Sequence, residues 1–338
     1  MMTITIKDVA KDAGVSIATV SRVLNGKDKV KPSTKQKVEQ SIKKLNYLPD
    51  LTAQTMVSKK TKTIGLIVPS LHEYWATLAE NIQEQLWEYG YTVMFCVSGL
   101  VESGKLFTYI NSFIQRKVDG IIYCGPGSEH TSFILELLDG KIPIVVLDRT
   151  LPDVNSVYGD HLEGGKIGAE HLIKLGHKDI AYVGGPFSSP ERELGFRNGM
   201  TLHGLTVNES LIKRGEFTFE CGFNSANELL DGKSKFTAVC CGNDLIAFGV
   251  IDALRKRGKR VPEDIAIVGY DDIKMASLIK PELTTVRQPL EKIAIGLIDL
   301  LLETIDMHDT KQIKSLVFSM ELIIRESCGA RQMMELSR

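Results

Sequence analysis

The chain has 338 residues, 43% of them hydrophobic, with 41 Lys and Arg against 42 Asp and Glu for a formal net charge of −1. That length and apolar content suit a globular protein of more than one core, and they exclude a disordered chain or a small disulfide scaffold. The near-neutral total hides an asymmetry: residues 1–62 carry a net +8 and the remainder −9, a basic head on an acidic body.

The head reads as a helix-turn-helix. Thr5 and Asp8 have the spacing of a capping box, and Ile6, Val9, Ala10 and Ala13 then fall on one apolar face. Gly14 suits a left-handed C-cap, and Ser16 can cap a second helix whose Val20, Val23 and Leu24 face inward. Ile17, Ala18, Ser21 and Arg22 are left outward, where a recognition helix presents side chains to the major groove. An ordinary helical hairpin fits the same periodicity; the charge asymmetry favours DNA. A third helix runs from Pro32 to about Leu45, with Val38, Ile42 and Leu45 as its core stripe. The segment Asp50–Val57 has helix-compatible residues but is shorter than the roughly 12–15 residues that an isolated helix needs in water, so it reads as a linker in the free protein.

The body has a different rhythm. Apolar runs at 64–68, 92–97, 120–124, 144–147, 180–183, 238–240 and 265–268 alternate with amphipathic stretches such as Leu78, Ile82 and Leu86. Strands apolar throughout, separated by helices, predict parallel sheets covered on both faces. About 275 residues exceeds one comfortable core and suits two doubly wound lobes, with a break near Asp148–Asp160. A return segment at Leu283–Pro289 would carry a last helix, about 290–305, and a Leu316–Ile324 strand back to the first lobe. Ligands of open α/β sheets sit beyond the carboxyl ends of the strands, where Asp148, Asn243 and Asp271 fall; Tyr74 and Trp75 head the first body helix and offer a stacking wall. Each alone has a duller explanation, as a cap or a core aromatic, and only their convergence on one crevice would make a site. Asp, Asn and Arg around an aromatic suit the hydroxyls of a neutral sugar or polyol.

Enzyme readings fare poorly. Gly125-Pro-Gly-Ser-Glu-His130 lacks the third glycine of a dinucleotide fingerprint, and the sequence shows neither a phosphate-binding Gly-x-x-x-x-Gly-Lys nor a nucleophile elbow. No His pair has metal-ligand spacing, and the six cysteines lack zinc or redox spacing, so neither a cofactor nor a metal is expected. Residues 1–5 do not resemble a signal peptide, and no apolar run reaches membrane-spanning length; the expectation is a cytoplasmic protein with no membrane partner.

Asp-Val-Ala-x-x-Ala-Gly-Val-Ser-x-x-Thr-Val-Ser-Arg-Val-Leu-Asn, followed by Leu45-Asn-Tyr-Leu-Pro49 and Ala53-Gln54, resembles the lac repressor/purine repressor family of bacterial transcriptional regulators. The resemblance implies an all-α head at 1–49, a hinge at 50–60, a first lobe at 61–160 and 286–325, a second lobe at 161–285 and a tail at 326–338, with the body like a periplasmic sugar-binding protein. It assigns base reading to Ile17, Ala18 and Arg22, and phosphate contacts to Thr5, Ser16, Thr19, Ser21, Asn25 and Thr34, with charge added by Lys29. At the hinge, Ala53 and Met56 would meet the minor groove, Met56 standing where the family usually has Leu. Arg192 matches an effector-contacting arginine, Phe217 an aromatic that packs on a sugar ring and Gln288 a hinge-side pocket residue. The resemblance thus implies a homodimeric regulator, most simply a repressor, of double-stranded, pseudo-palindromic operator DNA. Its affinity would be switched by a small sugar-like effector in the inter-lobe cleft or, alternatively, gated by a phosphocarrier protein.

Overall fold

The structure, a computed structural model, describes residues 4–24, 30–47, 60–99, 105–125, 134, 142–149, 151–185, 190–306 and 312–330. The chain forms two compact units, Met1–Lys62 and Thr63–Arg338.

Among the described residues, the first unit holds three helices: α1 (Ile6–Ala13), α2 (Ile17–Leu24) and α3 (Pro32–Leu45). The Asp8 carboxylate reaches back to accept from the Thr5 N–H at 2.9 Å and the Thr5 hydroxyl at 2.7 Å, fixing the start of α1. Gly14 ends that helix at φ 66°, a conformation that costs an L side chain roughly 1–2 kcal/mol. The Ser16 hydroxyl accepts from the Thr19 N–H at 3.1 Å and so starts α2. Val9, Val20 and Val38, one from each helix, are fully buried in a shared core with Ala10 and Tyr47. Lys44 of α3 pairs with Asp12 of α1 at 2.6 Å across the surface.

The second unit is built from two six-stranded sheets. The first contains β1 (Thr63–Val68), β2 (Thr92–Val97), β3 (Gly120–Tyr123), β4 (Ile144–Leu147), β5 (Asn155–Gly159) and β11 (Ser315–Phe318), in the order β11-β5-β4-β3-β1-β2, all parallel. Helices α4 (Glu73–Glu88) and α10 (Leu290–Asp306) cover one face through Leu78, Ile82, Leu297 and Leu301. Helix α5 (Lys105–Arg116) covers the other through Ile110 and Phe113. The second sheet runs β12-β10-β9-β8-β6-β7, from β6 (Ile180–Gly184), β7 (Ile212–Arg214), β8 (Ala238–Cys241), β9 (Ala266–Asp271), β10 (Thr285–Arg287) and β12 (Glu321–Ile323), the last antiparallel to β10. Helices α6 (His161–Lys174) and α7 (Glu191–Leu202) lie on one face, and α8 (Phe219–Asp231) and α9 (Asp244–Lys256) on the other. Two doubly wound lobes follow, as the strand rhythm predicts.

Three details depart from the sequence reading. Strand β5 lies inside the stretch read as the inter-lobe break. Its polar residues conceal it: Asn155 bonds Thr304 and the Lys314 N–H, and Ser156 bonds Ser315, so they serve the first sheet's far edge. The strand expected at 316–324 is two strands in two sheets. The chain leaves the first sheet after Phe318, buries Met320 and pairs with β10, where Arg287 opposes Glu321. Residues 286–325 are therefore shared between lobes rather than confined to the first. Finally, the segment read as a tail begins inside the second lobe: Cys328 and Ala330 are core residues, and the Ser327 hydroxyl donates to the Ile267 carbonyl.

The chain crosses between lobes three times, at 159–161, 288–290 and 318–321. All three crossings converge on Gly159. A Cβ there would meet the end of the Met320 side chain and lie 3.2 Å from His161 and 3.3 Å from Gln288, so any larger residue makes Met320 move and tightens the other two contacts.

Candidate functional site

In the three-helix unit, the N-terminal turn of α2 exposes Ser16, Ile17 and Ala18, with Arg22 exposed one turn further on. Ile17 is 45% exposed, an apolar side chain that the small core leaves in solvent. Thr5 is exposed, and Thr19, Ser21 and Thr34 are half-buried. Thr19 also bonds the Ser16 hydroxyl through its own, at 2.9 Å, so both serve the helix start. Asn25, Lys29, Ala53 and Met56 lie outside the described residues.

In the larger unit, a cavity of about 280 Å³ lies between the lobes, at the carboxyl ends of strands from both sheets. It approaches the roughly 300–1,000 Å³ of small-molecule sites. Seven of the eight side chains expected to form a pocket line it: Tyr74, Trp75, Asp148, Arg192, Phe217, Asn243 and Asp271. The eighth, Gln288, stands behind the wall. It is 3% exposed, and its amide is engaged on both sides: Nε2 donates to Asp271 Oδ1 at 2.7 Å, and Oε1 accepts from the Tyr74 hydroxyl at 3.0 Å. Gln288 thus joins the first lobe's Tyr74 to the second lobe's Asp271.

Arg192, in the first turn of α7, engages the cavity wall on several sides. Its Nη1 donates to the Gly242 carbonyl at 2.5 Å and lies 3.4 Å from Asp271 Oδ1. The guanidinium sits 4.0 Å from the Tyr270 ring centroid and 5.2 Å from that of Phe217. Burial pushes the Asp271 carboxyl above the usual carboxylate range, with Arg192 and Gln288 pulling the other way. Burial is the largest single influence and opposes the charge on Arg192, but Asp271 together with Tyr270, Tyr74 and Tyr182 prevails and raises the guanidinium above its ordinary value. Asn243 caps α9 by accepting from the Ile246 N–H at 2.9 Å, and its Nδ2 reaches the Phe217 carbonyl at 3.4 Å.

Asp148 faces this group from the first lobe with a left-handed backbone, φ 53°. Its Oδ1 accepts from the Gly159 N–H at 2.9 Å, and its Oδ2 lies 3.1 Å from His161 Nε2. Burial would raise its pKa, but His161, the Gly159 N–H and Arg192 prevail and hold it below the ordinary value. Asp148 and Asp271 therefore differ: one carboxyl is held below the ordinary carboxylate value and the other above it.

Several lining residues escaped the sequence reading. Glu73 accepts from the Lys274 N–H at 2.7 Å, a bond from the first lobe to the second. Arg149 donates to the Leu147 carbonyl at 3.3 Å and lies 5.0 Å from the Tyr123 ring centroid. His161, Tyr158, Glu191 and Glu216 complete the polar wall. Glu191 and Glu216 adjoin Arg192 and Phe217, which the family resemblance supplies, so the neighbours of those two positions were the signal that could have found them. His161 and Glu73 carry no local signal; their partners are distant in sequence. Among the described lining residues, five carboxylates face two guanidiniums, an excess of acidic groups. Among the described residues, no group of His, Cys, Asp and Glu has the arrangement of a metal site, and no helix is long and apolar enough to cross a membrane.

Residues 5–50 match the model of the bacterial regulatory proteins of the lacI family, and residues 169–328 that of the periplasmic binding protein-like domain. The HTH-type transcriptional repressor PurR of Haemophilus influenzae is 38% identical over 334 residues, covering 96% of this chain and 98% of that protein. Among solved structures, the lac repressor dimer bound to operator and the anti-inducer ONPF superimposes with a TM-score of 0.85 at 28% identity, covering 97% of this chain and 99% of that one. A complex of the transcriptional regulator CelR with cellobiose gives a TM-score of 0.73 at 32% identity, covering 96% and 99%.

Proposed function

Because this chain belongs to the lacI family of bacterial regulatory proteins, and is a DNA-binding transcriptional regulator rather than an enzyme, we propose that the cavity between its lobes binds an uncharged sugar-like effector that sets the operator affinity of the head. Regulators of this family bind operator DNA as dimers, so two heads would meet two half-sites of a pseudo-palindrome about one helical turn apart. The cytoplasm is the compartment in which this function operates. One observation carries the effector reading: Asp148 from one lobe and Asp271, Arg192 and Asn243 from the other converge around Phe217 in a single cavity. Paired acceptors and donors beside an aromatic face match the alternating hydroxyls and apolar ring face of a sugar. The complex of CelR with cellobiose supports the same class.

Within the head, Arg22 donates to guanine, Ile17 and Ala18 contact thymine methyls, and Thr5, Ser16, Thr19, Ser21, Asn25, Lys29 and Thr34 hold phosphates. Ala53 and Met56 approach the minor groove at the operator centre, Met56 as an apolar wedge. The effector biases a two-state coupling between cavity and head.

Operator titration at fixed salt, repeated against a panel of neutral sugars, sugar phosphates and uronates, tests the proposal. A change in operator affinity with one neutral sugar identifies the effector and the sign of regulation together. Specific DNA binding with no response to any compound would overturn the effector reading and favour gating by a phosphocarrier protein.

A further inference from the structure

His161 is neither a capping residue nor part of the apolar core. It is the first residue of α6, immediately after the chain crosses from the first lobe. Its side chain is 11% exposed and lies in the cavity wall. Its two ring nitrogens face different lobes. Nε2 lies 3.1 Å from Asp148 Oδ2, and Nδ1 lies 3.0 Å from the Tyr270 hydroxyl. The Tyr270 ring in turn forms the face on which the Arg192 guanidinium rests at 4.0 Å.

Tautomer chemistry gives this chain a direction. Asp148 Oδ2 is an acceptor, so the neutral ring carries its hydrogen on Nε2; Nδ1 is then an acceptor and takes the Tyr270 O–H. Donation runs from Tyr270 through His161 to Asp148. With the Gly159 N–H on Oδ1, each Asp148 oxygen receives one protein donor and keeps lone pairs for the cavity. A carboxylate fixed in this way suits two neighbouring hydroxyls of a ligand, the vicinal diol of an uncharged sugar. The left-handed backbone of Asp148 fits the same picture, because a strained residue persists where its surroundings over-determine its position.

We propose that His161 is a positioning residue that aligns Asp148 in one lobe with the Tyr270–Arg192 platform in the other, so that a vicinal diol is gripped only when both lobes are in register. The proposal rests on reading the cavity as the effector site. It goes beyond that reading in giving His161, through its hold on Asp148, control over effector affinity.

A double-mutant cycle decides the matter. His161→Leu, Tyr270→Phe and the double variant are compared by calorimetry with the neutral sugar found in the operator titration. In the wild-type background, Tyr270→Phe should weaken binding about fivefold, the loss of one hydrogen bond of roughly 1 kcal/mol. In the His161→Leu background it should have almost no effect, because its link to Asp148 is already gone. Additive losses would overturn the proposal. A second readout needs no sugar: carboxyl carbon NMR of Asp148 should show its titration midpoint rising in both single variants. An unmoved midpoint would overturn the positioning role even if sugar binding changed. If wild-type protein answers to no sugar, the effector reading fails and the NMR titration still judges His161. Should His161→Leu not fold, Tyr270→Phe, which removes only a hydroxyl, carries the NMR test alone.

Discussion

Replacing Arg192 by Met should expose the electrostatics that hold the second lobe's half of the cavity. Arg192 lies 3.4 Å from an Asp271 that is only 9% exposed, and it stacks on Tyr270. Removing one partner of a buried ion pair costs about 3–5 kcal/mol, and the lost cation–aromatic contact about 1 kcal/mol more. Asp271 keeps the Gln288 amide, a charge-assisted bond of roughly 1.5–3 kcal/mol, which moderates the loss. The expected deficit in unfolding free energy is about 3 kcal/mol at pH 8. Its pH dependence has a definite sign. Burial already holds the folded-state pKa of Asp271 above its unfolded value, and losing Arg192 raises it further. Between those two pKa values the folded variant binds a proton that the unfolded chain releases, so its stability falls as pH rises and recovers as pH drops. The deficit should be smaller at pH 5.5 than at pH 8. Adding Asp271→Asn removes the orphaned charge and should restore about 2 kcal/mol at pH 8. Urea denaturation followed by far-ultraviolet circular dichroism reports on the second lobe, which contains neither tryptophan. An equal deficit at both pH values, or no recovery in the double variant, would refute the assignment of Asp271 as a charge that depends on Arg192.

Other outcomes are specific to the site and the head. Gly159→Ala should weaken the effector response in operator titrations, since its methyl displaces the end of Met320 and crowds His161 and Gln288 at the crossings; an unchanged response would remove Gly159 from the hinge. Phosphorylating a sugar that binds should weaken it by tenfold or more, about 1.4 kcal/mol, against the acidic lining, and calorimetry showing equal affinity would contradict that charge argument. Gly14→Ala should destabilise the isolated head by about 1 kcal/mol in a thermal melt, because the turn requires a left-handed residue. Arg22→Ala should cost about 1–3 kcal/mol and relax base preference at one position per half-site; a loss uniform across operator variants would make Arg22 a phosphate contact instead.

Features governed by neighbours in sequence were legible from the start. The Thr5–Asp8 cap, the Gly14 turn and the apolar stripes of the head are local, and so are strands apolar on both faces. Strand β5 was hidden because Asn155 and Ser156 find their partners some 159 residues away at Lys314 and Ser315. The split between β11 and β12 was hidden for a similar reason: the run looks continuous, and only the pairing of Glu321 with Arg287 and the anchoring of Arg325 by Asp272 and the Leu283 carbonyl divert it. In the cavity, strand-end polar residues were found by rule, while His161 and Glu73 depend on contacts across the lobes. Gln288 was placed one layer too far forward, because sequence cannot reveal that Tyr74 and Asp271 already occupy its amide.

The meeting of three chain crossings at Gly159 also fixes what kind of signal this body can export. Two lobes joined by one strand could swing, twist and slide; three crossings that meet at one residue should restrain twisting and sliding more than swinging. On the proposal that the cavity holds the effector, ligand shape would then set the angle between the lobes. Two sugars of equal affinity but different girth would hold the lobes at different settings and give different operator occupancies at saturation. Saturating response, rather than midpoint concentration, becomes the observable in which ligand shape is written.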